Sequence, residues 1–316
     1  MKSRRFIDAV NAYIAAQKRL GFALRTESTQ LRDFACYADS VDHRGPLTTT
    51  LAVAWASRPG KRLRRFPERR LQVLRPFARY LAAIDDANEV PPRDLLGRAR
   101  HRPIHHIYTE SQVLALLREA TRLRPGSLKS LTLTTLFGLL AATGLRISEA
   151  LKLRCEDVDL KRCILVLRET KFRKSRVVPF HVTTAAALGR YAVMRDKSFP
   201  PVRSTTFFVA DGGGALPYST VGNTFGRMRR ALGWDELMPR PRIHDLRHTF
   251  ACRRLQAWYA DGVDVDAKIA SLATYLGHVH FTDTYWYLTG TPELLALAAN
   301  RFEANAIQSG TAGGEP

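Results

Sequence analysis

The sequence predicts a mainly α fold with a small β-sheet, split into a helical N-terminal domain and a mixed α/β second domain. Three observations carry this expectation. Apolar residues recur at helical spacing through most of the chain. β-prone runs gather in one stretch, CILVLRETKFRKSRVVPF, around a charged centre. Between two periodic regions, DDANEVPPRDLLGRARHRPIH loses its apolar period and gathers Pro91, Pro92, Gly97 and Pro103. At 316 residues the chain exceeds the usual single-core domain of about 100 to 200 residues, so two cores are expected.

In the first 85 residues, Phe6, Val10, Ile14 and Leu20 fall near helical spacing. Thr26 is placed to cap a second helix carrying Leu31, Phe34 and Tyr37, and Leu71 to Leu81 supplies another apolar stripe. A linker is expected over 86–105. The second domain, 106–304, opens with a T-x-x-Q capping box, Thr109 to Gln112, ahead of VLALL. Leu131 to Ala142 is nearly all apolar, which predicts a buried helix ending at Gly144. Two strands are expected on either side of a turn bearing Lys171. Helices follow at Thr183 to Arg195, Tyr218 to Leu232, Leu246 to Tyr259 and Val265 to Leu276, and a last one, ELLALAANRF, after Pro292. That last helix is amphipathic and suits a neighbouring subunit or its own domain equally. DGGG at Asp211 reads as a hairpin turn rather than a phosphate loop, since no Lys-Ser or Lys-Thr follows. The tail over 305–316 is expected to be disordered.

The net charge of +20, with a pI near 10.4, is spread over both halves of the chain. Such a field attracts a polyanion and makes association salt-dependent, so nucleic acid leads as partner. RPGKRLRRFPERR crowds Lys61, Arg62, Arg64, Arg65, Arg69 and Arg70 together, either as a solvated helix face or, as the overall charge favours, as phosphate contacts. The linker is basic enough to lie along DNA. No segment reaches the roughly 18 apolar residues of a membrane span. Cys36, Cys155, Cys163 and Cys252 are scattered, which supports neither disulfides nor a cysteine zinc knuckle. MKSRRFIDAV shows no signal peptide, so a reducing, cytoplasmic compartment is expected.

Four separated motifs hold the side chains with chemistry. They are Arg146 in ATGLRISEAL, Lys171 in ETKFRKSRVVPF, His244 and Arg247 in HDLRH, and His278 with Tyr287 in LGHVHFTDTYWYL. Each has a bland reading. Arg146 opens a helix, where Glu149 is as apt to brace it as to act. His244 and His248 lie at i and i+4 on one helical face, the spacing of a metalloprotease HExxH pair, with Asp245 in place of the glutamate. The shorter acid and the nearby Arg247 weigh against zinc. Aromatic residues spaced like His280, Tyr285 and Tyr287 are more often core than catalytic. Together, however, two guanidiniums, an ammonium, two imidazoles and a phenol are the inventory for moving a phosphodiester onto a protein oxygen.

The order Arg, Lys, HxxR, LGH, Tyr resembles the tyrosine recombinase and integrase family, with residues 106 to 300 similar to its catalytic domain and the helical basic N-terminal region to its core-binding domain. TYWYLTGTPELL is similar to integrases of transposons and other mobile elements. The resemblance implies that Arg146 and Arg247 bind the phosphate, Lys171 is the hairpin lysine, His244 and His278 are the two active-site histidines, and Tyr287 is the nucleophile. Lys174 is an alternative to Lys171, and Tyr285 a rival to Tyr287. It further implies a 3′-phosphotyrosyl intermediate, chemistry without metal, ATP or other cofactor, a homotetramer on synapsed double-stranded DNA, accessory or sister recombinases, and a nucleoid-associated, bacterial setting. Fixed guanidiniums suit charge that grows on non-bridging oxygens, and a phenol with a pKa of about 10 needs help to lose its proton. The rivals are relaxation of DNA as in a type IB topoisomerase, an HDxxxH-like metal hydrolase, and a catalytically silent DNA-binding regulator.

Overall fold

The computed structural model describes residues 6–58, 67–97, 104–168, 175–199 and 205–278, together with positions 284, 296 and 299. The chain divides into two compact units, Met1–Pro103 and Ile104–Pro316.

The first unit is built from α1 (Phe6–Arg19), α2 (Arg25–Ser40), α3 (Thr49–Ser57) and α4 (Pro67–Ala82). Their apolar stripes close on Val10, Ile14, Phe34, Trp55, Leu71, Leu74 and Phe77, all buried. Two sequence expectations change here. Thr26 does not cap α2; the helix begins at Arg25 after Leu24, whose φ of 40° is left-handed and whose side chain offers no cap. Leu20 is exposed rather than part of the core stripe.

The expected extended linker is, over its described first part, bound to this unit. The Asn88 side chain accepts from Leu47 N–H (2.9 Å), Glu89 N–H donates to Leu47 C=O (2.8 Å), and the Glu89 carboxylate accepts from Thr49 N–H (2.7 Å). Buried Arg75 donates from Nε to Pro91 C=O (2.9 Å) while pairing with buried Glu68 (2.7 Å). Satisfied backbone groups of this kind pin a segment that composition alone reads as free.

The second unit centres on α6 (Leu128–Thr143), a helix apolar all round and therefore surrounded, by α5 (Glu110–Arg122), α8 (Val182–Ser198) and α10 (Asp245–Ala260). Thr109 caps α5 in the expected box, its side chain accepting from Gln112 N–H (3.1 Å) while Gln112 accepts from Thr109 N–H (3.0 Å). Gly144 ends α6 with a φ of +63°, and a Cβ there would meet Phe250 at 2.6 Å. The short α7 (Ile147–Ala150) leads through a 3₁₀ turn, Cys155–Asp157, into β1 (Val158–Asp159), which pairs antiparallel with β2 (Ile164–Leu167), itself antiparallel to β3 (Arg176–Pro179). Leu165 faces Val178 across the pair, and both are fully buried. The two predicted strands pair antiparallel as β2 and β3, but Lys171 and Lys174 between them lie outside the described residues. DGGG is a turn, bracketed by the bridge between Val209 and Ala215. α9 (Tyr218–Ala231) and α11 (Val265–Leu276) complete the unit. Of the helix expected after Pro292 only positions 296 and 299 are described, both helical, and the tail lies outside the described residues. Among the described residues no helix is long and apolar enough to cross a membrane.

Candidate functional site

The C-terminus of α11 organises the site. Asp264 caps the helix at its start, its side chain accepting from Ala267 N–H (3.1 Å), and Gly277 ends it with a φ of +70°, a conformation open to glycine. The turn lets Gly277 and His278 N–H groups satisfy C=O groups of the last turn, Ala273 and Thr274. The next three carbonyls point outward, and each receives a guanidinium. Arg176 Nε donates to Tyr275 C=O (2.9 Å), Arg247 Nη2 to Leu276 C=O (2.6 Å) and Arg146 Nη2 to Gly277 C=O (3.1 Å). Arg247 also donates from Nη1 to Gly144 C=O (2.9 Å), joining the end of α6 to that of α11, and is 2% exposed.

Arg146 stands just before α7 with a side chain less buried than that of Arg247. Its Nη1 donates to Glu149 Oε1 (2.8 Å) and its backbone N–H to Oε2 (3.0 Å), so Glu149 braces it. The same buried carboxylate accepts a fork from Arg176, Nη1 to Oε1 (3.1 Å) and Nη2 to Oε2 (3.0 Å). Burial pushes the Glu149 pKa up, but Arg176 and then Arg146 outweigh it and hold the carboxyl below its usual range.

His244 and Arg247 come from the first turn of α10 and the residue before it. The His244 ring meets His248 edge to face at 5.1 Å, and His248 stacks on His105 with centroids 3.3 Å apart. Desolvation, then the charge of Arg247, lowers the His244 pKa to about 4; desolvation and the neighbouring histidines lower that of His248 to about 3. Both imidazoles are neutral at physiological pH. His278 Nδ1 lies 2.7 Å from the hydroxyl of buried Thr284.

The metal reading of HDLRH finds a geometric basis in His105, Asp245 and His248, whose donor atoms lie within 4.8 Å of one another. A cation already occupies that surface. Arg242 Nη2 donates to Asp245 Oδ1 (3.0 Å) and to His105 Nδ1 (2.9 Å), and its Nε to Oδ2 (3.2 Å). A guanidinium fixed at these acceptors opposes a dication at the same place.

The structure therefore brings Arg146, Arg247 and His278 to the end of α11, with His244 beside Arg247. Tyr285 and Tyr287 lie outside the described residues, as do Lys61, Arg62, Arg64 and Arg65. Arg69 is exposed. Arg70 departs from the reading as a phosphate contact. It is 2% exposed, and its Nη1 is spent on the carbonyls of Trp55 (3.0 Å), Ala56 (3.0 Å) and Arg58 (3.2 Å), closing the C-terminus of α3. Arg176, Arg242, His105 and Thr284 belong to the site but were not singled out in the sequence, although Arg176 lies within ETKFRKSRVVPF and Thr284 within LGHVHFTDTYWYL.

The sequence profile described as the phage integrase family matches residues 107–293. The chain belongs to the phage integrase family. It is a tyrosine recombinase/integrase, an enzyme of DNA strand transfer and site-specific recombination. It is 39% identical over 298 residues to the integrase/recombinase y4rE of Sinorhizobium fredii, covering 93% of this chain and 94% of that protein. It is also 38% identical over 305 residues to y4rB of the same organism, covering 94% and 97%. The fold is similar to that of the Tn1549 transposon integrase solved with transposon right-end DNA (TM-score 0.67, 16% identity, 94% of this chain and 99% of that one). It is likewise similar to a lambda integrase solved as a tetramer on a Holliday junction (TM-score 0.62, 16% identity, 90% and 78%).

Proposed function

We propose that this integrase cleaves and rejoins duplex DNA through a 3′-phosphotyrosyl bond to Tyr287, in the service of a mobile element. The observation that carries the reading is the convergence of Arg146, Arg247 and His278 on one helix end, with a neutral His244 alongside. Two guanidiniums held by backbone carbonyls present positive charge where a phosphodiester gains negative charge, and fixed donors of this kind lower the barrier without reorganising. Neutral His244 is in the form that accepts a proton from a phenol. His278 serves as a donor to the phosphate, and Lys171 as the acid that protonates the departing 5′ oxygen. The energy of the broken linkage is kept in the phosphotyrosyl bond, so a 5′ hydroxyl reseals the strand without a nucleotide cofactor. Joining two duplexes requires several copies, and the lambda integrase tetramer supports a tetramer here. Acting on the chromosome or an element within it, the protein belongs at the nucleoid.

The test incubates the protein with nicked duplexes drawn from the DNA flanking its own gene and looks for a covalent adduct on a denaturing gel, with and without EDTA. The expected adduct survives EDTA and is lost in Tyr287→Phe but not in Tyr285→Phe. An adduct lost in Tyr285→Phe alone reassigns the nucleophile; relaxation of supercoils without joining of two sites favours the topoisomerase reading.

A further inference from the structure

Arg176 has no place in the chemistry above, yet it stands where its parts meet. Its backbone is fixed by the sheet, paired with Leu167 across β2 and β3. Its side chain, 10% exposed, reaches from β3 to two places at once. The fork on Glu149 takes both carboxylate oxygens, and Nε takes the Tyr275 carbonyl at the end of α11. Gly277 leaves room for this reach, because a Cβ at that position would lie 2.5 Å from Arg176 Nη1.

The charges make the arrangement consequential. Glu149 and Arg146 alone form a neutral pair, in which the carboxylate both draws Nη1 away from a phosphate and cancels the field that Arg146 would present to it. With Arg176 on the same carboxylate, two guanidiniums share one negative charge and the cluster carries one net positive charge. A bidentate fork also fixes the plane of the carboxylate, and with it the angle from which Arg146 is held. Being almost buried, with each of its three guanidinium nitrogens bonded to a protein acceptor, Arg176 acts through Arg146 rather than on DNA.

We propose that Arg176 is a positioning residue for strand cleavage: by sharing Glu149 with Arg146 and gripping the end of α11, it keeps the charge and orientation of Arg146 available to the scissile phosphate. This rests on the strand-transfer reading above. The test compares single-turnover adduct formation by the full chain, Arg176→Gln and Arg176→Lys on the duplex that the unaltered chain cleaves. Each is run with an ordinary scissile phosphate and with a methylphosphonate, whose phosphorus centre is uncharged and has less need of Arg146. On the phosphate, Arg176→Gln is expected to slow adduct formation about 10- to 100-fold while DNA affinity stays within about twofold. On the methylphosphonate the deficit is expected to shrink to within about threefold, because the substrate no longer calls for the charge that Arg146 supplies. Arg176→Lys, which keeps the charge and loses the fork, is expected to fall between the two.

An equal deficit on both substrates, the signature of a merely structural role, overturns the proposal, as does full activity of Arg176→Gln on the phosphate. Absence of an adduct with the unaltered chain would instead sink the strand-transfer reading, and this proposal with it.

Discussion

Gly277→Ala isolates the contact between the end of α11 and Arg176. Any non-glycine residue at a φ of +70° is strained by about 1 kcal/mol. At Gly126, with a φ of +74° and nothing within 4 Å of a new Cβ, that strain is the whole expected cost. At Gly277 the Cβ would also lie 2.5 Å from Arg176 Nη1 and 2.8 Å from Cζ, whereas ordinary contact begins near 3.4 Å. The guanidinium must retreat by about 0.9 Å, enough to break hydrogen bonds now 2.9 to 3.1 Å long to Tyr275 and Glu149. Bonds to charged groups contribute roughly 1.5–3 kcal/mol each, so losing one brings the total to about 3 kcal/mol against about 1 for Gly126→Ala. Urea unfolding followed by tryptophan fluorescence reads the difference. In an Arg176→Ala background the Gly277→Ala cost should fall to the backbone strain alone, a coupling of about 2 kcal/mol. If Gly277→Ala and Arg176→Ala are additive, Arg176 is not held against the glycine and the reasoning fails.

Acid should destabilise the second unit through His244 and His248. Their folded pKa values, about 4 and about 3, lie below the ordinary 6.5, so between those limits the unfolded chain binds protons that the folded one refuses. The contribution of buried His248 is therefore complete above pH 6.5 and is lost as pH falls, by up to about 1.4 kcal/mol per pH unit, whereas solvent screening leaves the exposed His244 a smaller share. Unfolding free energies measured from pH 7 to pH 4.5 should fall less steeply in His248→Gln, and an unchanged slope would refute the assignment. Arg70→Leu should strand the Ala56 and Arg58 carbonyls at the end of α3, while Trp55 C=O keeps Arg58 N–H, and cost about 2 to 4 kcal/mol by thermal denaturation. It should leave the salt dependence of DNA binding unchanged. Arg69→Ala should do the reverse, reducing the salt slope by about one with little effect on stability; a slope that also falls in Arg70→Leu would return that arginine to the DNA surface.

Features written in local spacing were legible in the sequence. The Thr109–Gln112 box, the glycine closing α6 and the bounds of α11 all follow from residues within a few positions of one another. α3 was not legible, because TTLAVAWAS is short and apolar without a helical period. Arg70 shows a signal available but unused: it lies four residues before Leu74 and seven before Phe77, on the stripe that faces the core, whereas Arg69 lies off it. The motif arginines and histidines announced themselves, and so did Glu149 three residues from Arg146, but the distant supports did not. Arg176 meets Glu149 across 27 residues and Arg242 meets His105 across 137, distances at which no periodicity speaks.

The supports explain how the site can exist before DNA arrives. Three guanidiniums gathered at one place repel one another, and a single buried carboxylate offsets only part of that. The rest comes from the backbone. An α-helix carries about half a negative charge at its C-terminus, concentrated on the carbonyls that the last turn leaves unpaired. In α11 those at Tyr275, Leu276 and Gly277 are the ones that take Arg176, Arg247 and Arg146. One helix end thus satisfies its own orphan carbonyls and assembles the cations in the same bonds. This arrangement spends the cost of bringing like charges together during folding rather than during reaction, which is what preorganised electrostatic catalysis requires. It also binds the fate of Arg146 and Arg247 to Gly277: a change that moves this one turn displaces both arginines together.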